Sequence, residues 1–252
     1  MSGLVVRVTT SAPADFSAVL EGSWTAATAA ELARRPVRVA GRGDEPLGEL
    51  AEVSGAADGT IRFTGDLRQV NRLGAGLSGG AVVVEGSIGD DVGSGMAGGT
   101  LEIRGDAGAR VGAAAPEARR GMSGGELVVY GSVGEGAGAL MRRGLLVVGG
   151  RVGHHAGAGM IAGTLVAFGA VDATAGLWTK RGSIVALAGI TIPSTYRYAC
   201  TYQPVHLRLT LMRLRTRFGL PVTPPHLTGF YRRYSGDLAD LGKGEILAWK
   251  AS

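Results

Sequence analysis

The chain has 252 residues, 44 of them glycine, more than twice the roughly 7% usual in globular proteins; aromatics make up 6%, charged residues 19%, and the formal net charge is +5. No apolar run reaches the roughly 18 residues of a spanning helix, Met1–Arg7 lacks a basic stretch followed by a long apolar core, and a single cysteine, Cys200, excludes an internal disulfide framework. Aliphatic residues are too plentiful for disorder and glycine too dense for ordinary helix layers, so the expectation is a folded, cytoplasmic, all-β protein.

Composition divides the chain into three stretches. Residues 1–59 hold 7 glycines, 60–189 hold 32 and 190–252 hold 5, while the last stretch carries 9 basic against 3 acidic residues. In the first, Leu4–Val8 reads as a strand, Thr25–Arg35 as a helix stopped by Pro36, and Val37–Ala40 as a second strand. This region is expected to cap the open edge of whatever follows.

The middle stretch repeats. Strand-like segments ending in Gly65, Gly86, Gly105, Gly131, Gly149 and Gly169 lie 21, 19, 26, 18 and 20 residues apart, with Ser183–Leu187 a seventh. The long interval contains the extra stretch Ala113–Arg120. A second echo, Gly95-Met96-Ala97-Gly98-Gly99-Thr100, returns at Gly121–Glu126 and Gly159–Thr164. A short strand has one inward row, which is buried when repeats stack about 4.8 Å apart. This predicts a right-handed parallel β-helix-like solenoid of about seven glycine-rich coils. The outward row is polar at Arg62/Thr64 and Glu102/Arg104 but apolar at Val128/Tyr130, Leu146/Val148 and Val166/Phe168. An apolar outer face must be covered, either by the C-terminal segment of this chain or by a partner protein.

In the last stretch, Leu207, Leu211, Leu214 and Phe218 mark one face of a helix over Val205–Phe218, stopped by Gly219 and Pro221. Strands are expected at Gly229–Tyr234 and Gly244–Trp249.

Candidate chemistry is sparse. Gly74-x-Gly76-x-x-Gly79 and Gly93-x-Gly95-x-x-Gly98 match a dinucleotide fingerprint, but each runs into another strand instead of a helix and recurs with the repeat, so these glycines read as structural. His154-His155 are adjacent and would point to opposite faces, which does not suit a metal. Cys200 reads as a buried thiol. Asp90-Asp91 and Asp237/Asp240 pair carboxylates without the ladder of polar positions that a sugar-cleaving cleft needs, and the interleaved aromatics of a nucleic-acid surface are missing. No catalytic residue, metal site or bound cofactor is predicted, and neither nucleic acid nor membrane is an expected partner.

The iterated Gly-x-Gly-x-Gly segments resemble the glycine-rich C-terminal domain of the glutamate synthase large subunit and the glycine-repeat, third subunit of the formylmethanofuran dehydrogenase family. Leu47-Gly48-Glu49-Leu50 and the closing run Tyr234-Ser235-Gly236-Asp237-Leu238-Ala239-Asp240-Leu241-Gly242-Lys243-Gly244-Glu245-Ile246-Leu247 favour the second. The resemblance covers roughly residues 37–249. It implies a non-catalytic scaffold subunit in a formyltransferase/hydrolase complex, which moves a formyl group from tetrahydromethanopterin to a methanofuran analogue and releases formate. The equivalent glycine-repeat subunit of a molybdenum or tungsten formylmethanofuran dehydrogenase is the alternative, and a free-standing β-helix carbohydrate enzyme a further one. The implied partners are a formyltransferase, an amidohydrolase-like hydrolase and a molybdopterin-oxidoreductase-like subunit. On this reading Val128, Tyr130, Leu146, Val148, Val166 and Phe168 form a partner interface or lie under the C-terminal helix. Because such cofactors carry glutamate-rich tails, Arg208, Arg213, Arg215, Arg217, Arg232 and Arg233 are candidates to attract one.

Overall fold

The computed structural model describes residues 3–116 and 118–250; Met1, Ser2, Glu117 within the extra stretch, Ala251 and Ser252 lie outside them. The chain opens with β1 (Leu4–Val8), β2 (Ala14–Asp15), two short 3-10 turns at Ser17–Leu20 and Trp24–Ala26, α1 (Ala29–Ala33), β3 (Pro36–Val39), β4 (Gly43–Pro46), α2 (Leu47–Leu50) and β5 (Ala51–Gly55). The repeat region supplies β6 (Thr60–Gly65), β7 (Val70–Asn71), β8 (Ala81–Val84), β9 (Thr100–Ile103), β10 (Glu126–Val129), β11 (Leu145–Val148), β12 (Thr164–Ala167) and β13 (Arg181–Ala186). Then come β14 (Arg197–Tyr202), α3 (Val205–Phe218), α4 (Pro224–Thr228), β15 (Tyr231–Gly236) and β16 (Lys243–Trp249).

The predicted parallel β-helix-like solenoid is corrected by the strand pairing. The strands build one mixed 12-stranded sheet, in the order β14-β15-β16-β13-β12-β11-β10-β9-β8-β6-β1-β5, beside a small sheet β4-β3-β2-β7. Neighbours are parallel from β1 to β16, but the edges are antiparallel, β5 on β1 at one end and β15 and β14 at the other. In most repeats a strand takes only about four residues, and the rest returns as turns over the inner face. Those returns touch one another through isolated bridges along Leu67, Ile88, Ala107, Val133, Val152, Val171 and Ile190, and form no further long sheet. Glycine explains why: the turns approach so closely that a Cβ on Gly105 would lie 2.5 Å from the Gly86 carbonyl carbon. Backbone that tight can cross a neighbour but has no room for the side-chain rows of a second sheet.

The inner face carries the main core, with Ile61 and Phe63, Val82 and Val84, Leu101 and Ile103, Leu127 and Val129, Leu146 and Val148, Leu165 and Ala167 in successive ladders. Both flanking stretches contribute strands to this sheet, β1 and β5 from the N-terminal side and β14–β16 from the C-terminal side. The predicted N-terminal helix is shorter than its sequence signal, because the 3-10 turn at Trp24 buries that indole before Thr28 caps α1. Among the described residues no helix is long and apolar enough to cross a membrane.

Candidate functional site

The outer face of the sheet holds a second, separate core. Val128, Val147, Val166, Val185, Leu187 and Leu247 pack against Leu207, Leu211, Leu214 and Phe218 of α3, with Leu220, Val222 and Tyr231 closing the sides. The four α3 residues recur at i, i+4, i+7 and i+11, one stripe of a 3.6-residue helix. Gly219 ends the helix in the left-handed region at φ 65°, its N–H bonding the Arg215 and Leu214 carbonyls.

Of the six candidate interface residues, Val128 and Val166 lie fully under α3, and Tyr130 and Phe168 pack partly against the same cluster. Leu146 and Val148 do not belong to this face. Cα partners run Leu127↔Leu146, Val128↔Val147 and Val129↔Val148, which turns Leu146 and Val148 into the inner core and puts Leu145 and Val147 outside. The Gly149-Gly150 doublet is the cause: Gly150, not Gly149, corresponds to Gly131, and counting from the wrong glycine shifts the register by one and flips every side chain. Val147 is therefore the covered outward residue that the sequence reading missed.

Polar contacts seal the helix along one flank. Arg213 and Arg217 both donate to the Glu126 carboxylate at 3.0 Å, and Arg217 also reaches the Thr100 hydroxyl at 3.1 Å. The Tyr130 hydroxyl lies 2.8 Å from the Phe218 carbonyl oxygen and 3.0 Å from Glu102, with the Arg104 guanidinium 4.4 Å above its ring. Burial, seconded by the Glu102 charge, raises the Tyr130 pKa and keeps its proton on. The six candidate arginines do not converge. Arg213 and Arg217 are spent on Glu126, and Arg233 pairs with Glu245 at 2.9 Å. Arg208 lines a small cleft of about 120 Å3 beside α4, while Arg232 lines a different hollow with Lys250.

The far side of α3 is apolar as well. Val205, Leu209 and Met212, at i, i+4 and i+7, are 76%, 69% and 37% exposed. At about 100° per residue they point away from the buried stripe, so the helix has two apolar faces on roughly opposite sides. Arg208 and Arg215 flank the outer stripe and have no carboxylate partner among the described residues.

The remaining candidates have structural tasks. Asp91 accepts a bidentate pair from Arg110 at 2.7 and 2.6 Å, and Asp90 accepts the Ala109 N–H. Asp237 accepts the Trp178 and Ala239 N–H groups at 2.8 Å. His154 and His155 stand with ring centroids 6.4 Å apart, and among the described residues no three His, Cys, Asp or Glu side chains are placed to hold a metal ion. Cys200 is exposed on β14, not buried, because that strand is the outermost of its sheet edge.

What this arrangement presents is a helix clamped to one face of a sheet, with a second hydrophobic stripe turned outward. No family model and no curated protein sequence matches the chain. A solved multi-subunit enzyme complex does contain a chain of this fold. It is the X-ray crystal structure of the formyltransferase/hydrolase complex (FhcABCD) from Methylorubrum extorquens in complex with methylofuran. The match has a TM-score of 0.79 at 29% identity and spans 98% of this chain and 100% of that one.

Proposed function

We propose that the chain is a non-catalytic subunit of a formyltransferase/hydrolase complex that uses a methanofuran-type cofactor. The observation that carries the reading is the end-to-end likeness to a chain of such a complex, with neither protein left with a long unmatched segment. The outward stripe of α3 supports it, since three apolar side chains on the solvent side of a helix are costly unless covered. The role is geometric: the sheet holds α3 in place, and α3 gives a formyltransferase and an amidohydrolase-like hydrolase a fixed surface to share. The ionisable pairs described above are engaged with one another and with backbone groups, which suits a holding role better than chemistry.

Co-expression with the complex's other subunits tests this. The wild-type chain is expected to co-purify with them, and Leu209→Asp combined with Met212→Glu is expected to lose them while keeping its own thermal midpoint. Co-purification indifferent to those charges would remove the α3 surface from the proposal, and no co-purification at all would remove the subunit role.

A further inference from the structure

About half of the arginines of this molecule pair with a carboxylate among the described residues, as Arg38 does with Asp44, Arg68 with Asp66, Arg110 with Asp91 and Arg151 with Asp172. Three that share a hollow do not. Arg120, Arg142 and Arg143 line one pocket of about 380 Å3 with Gly95, Gly121 and Ser123, and among the described residues none of the three has an acidic partner.

The repeat pattern shows how the pocket arises. Gly93 and Gly112 occupy equivalent positions, donating to the Leu73 and Val92 carbonyls of the preceding repeat. Gly93 is followed by Ser94-Gly95-Met96, whereas Gly112 and Ala113 are separated from Gly121-Met122 by residues 114–120. This seven-residue insert brings Arg120 to a corner where the preceding repeat has only Ser94 and Gly95. Arg142 and Arg143 reach the same corner from the next repeat, their N–H groups bonding the Met122 carbonyl at 2.8 and 3.2 Å. The floor is bare backbone: Gly95 sits at φ +65° with nothing within 4 Å of where a Cβ would be. Lys180 donates to Met160 as Arg142 does to Met122, so Lys180 and Arg181 repeat the basic pair two repeats on, about 10 Å away at the strand spacing.

Like charges gathered in a concavity repel one another and favour the site only when an anion neutralises them. We propose that this pocket binds a compact polyanion, a group bearing two or more carboxylates or phosphates, held by the Arg120, Arg142 and Arg143 guanidiniums. Guanidinium forks grip both oxyanions in bidentate fashion, and the glycine floor lets the ligand approach the backbone. The anion belongs either to a free small molecule or to neighbouring acidic side chains of a bound protein. The pocket's chemistry is independent of the scaffold role proposed above.

Titration calorimetry of the full-length chain with citrate and with pyrophosphate, at low and at physiological salt, tests it. Binding is expected to weaken as salt rises, and Arg120→Gln/Arg142→Gln/Arg143→Gln is expected to lose about tenfold or more in affinity at an unchanged thermal midpoint. Arg208→Gln/Arg215→Gln, on α3, is expected to bind as wild type does. Repeating the titration on the co-expressed complex separates the sources: binding retained there assigns the site to a free ligand, and binding blocked there assigns it to a partner's acidic side chains. Failure of the wild-type chain to bind either probe, or equal binding by the triple variant, overturns the proposal.

Discussion

A carboxyl group buried as deeply as that of Asp237, 1% exposed, would ordinarily hold on to its proton. Here burial pushes the pKa up, but the Ala239 and Trp178 N–H groups outweigh it, and the net shift is downward from the ordinary 3.8. The ionised side chain ties the closing turn to the Trp178 turn, while its own carbonyl oxygen accepts the Gly242 N–H at 2.8 Å. A group whose folded pKa is lowered stabilises the fold at pH above its unfolded pKa and loses that contribution as pH falls through the folded value. Asp237→Asn is therefore expected to cost about 1–3 kcal/mol near neutrality, since the two N–H groups bond to different carboxylate oxygens and an amide, with one acceptor oxygen, leaves one of them facing its own NH2. In urea unfolding followed from pH 7 down to about 3, the gap between wild type and variant is expected to narrow in acid. A gap independent of pH would mean that the charge plays no part.

At the scale of elements, α3 separates two effects that one helix seldom keeps apart. Leu211 is fully buried between helix and sheet, and Leu209, two residues earlier, is 69% exposed. Leu211→Ala is expected to destabilise the chain by about 2–5 kcal/mol, the usual cost of emptying a leucine site in a core. Leu209→Ala is expected to leave the isolated chain within about 0.5 kcal/mol of wild type. Chemical denaturation of both variants checks the contrast, and a large loss at Leu209 would mean that its stripe is packed within this chain. The buried stripe was legible in the sequence because Leu207, Leu211, Leu214 and Phe218 have unbroken helical spacing. The outer stripe shares that helix with them, and a reading that looks for one apolar face passes over Val205, Leu209 and Met212. Strand β14 was not legible for a different reason: as an edge strand, exposed nearly throughout, it shows no alternation. At β11 the strand was legible but its facing was not, since a glycine doublet offers two registers and only the pairing with β10 chooses between them. The basic pocket could not be read at all, because Arg120 and Arg142 become neighbours only once the 26-residue repeat is folded against the next.

Across the whole molecule, the 19-residue spacing of the left-handed turn positions and its single long interval make the insert separable from the sheet. The left-handed positions Arg72, Asp91 and Arg110, then Gly136, His155 and Thr174, keep the repeat in register on both sides of residues 114–120. Joining Ala113 directly to Gly121 would give Gly-Ala-Gly-Met, the counterpart of Gly93-Ser94-Gly95-Met96, in a repeat of the same length as its neighbours. The splice asks one backbone change: Gly121 must move into the positive-φ conformation that Gly95 holds at +65°, which glycine adopts without a Cβ penalty. The Ala114 N–H that now donates to the Ala139 carbonyl would be replaced by that of Gly121. Neither core loses a side chain, because the buried ladders at Leu101/Ile103 and Leu127/Val129 lie outside the excised segment. The deletion of residues 114–120 is accordingly expected to unfold in one cooperative transition with a midpoint within about 4 °C of wild type, a shift of roughly 1 kcal/mol or less for a chain of this size. Because Arg120 leaves with the insert while Arg142 and Arg143 stay, polyanion binding is expected to weaken but keep its salt dependence. Thermal melts and citrate titration of the one variant measure both, and a collapse of the midpoint would show that the insert braces the sheet instead of decorating it.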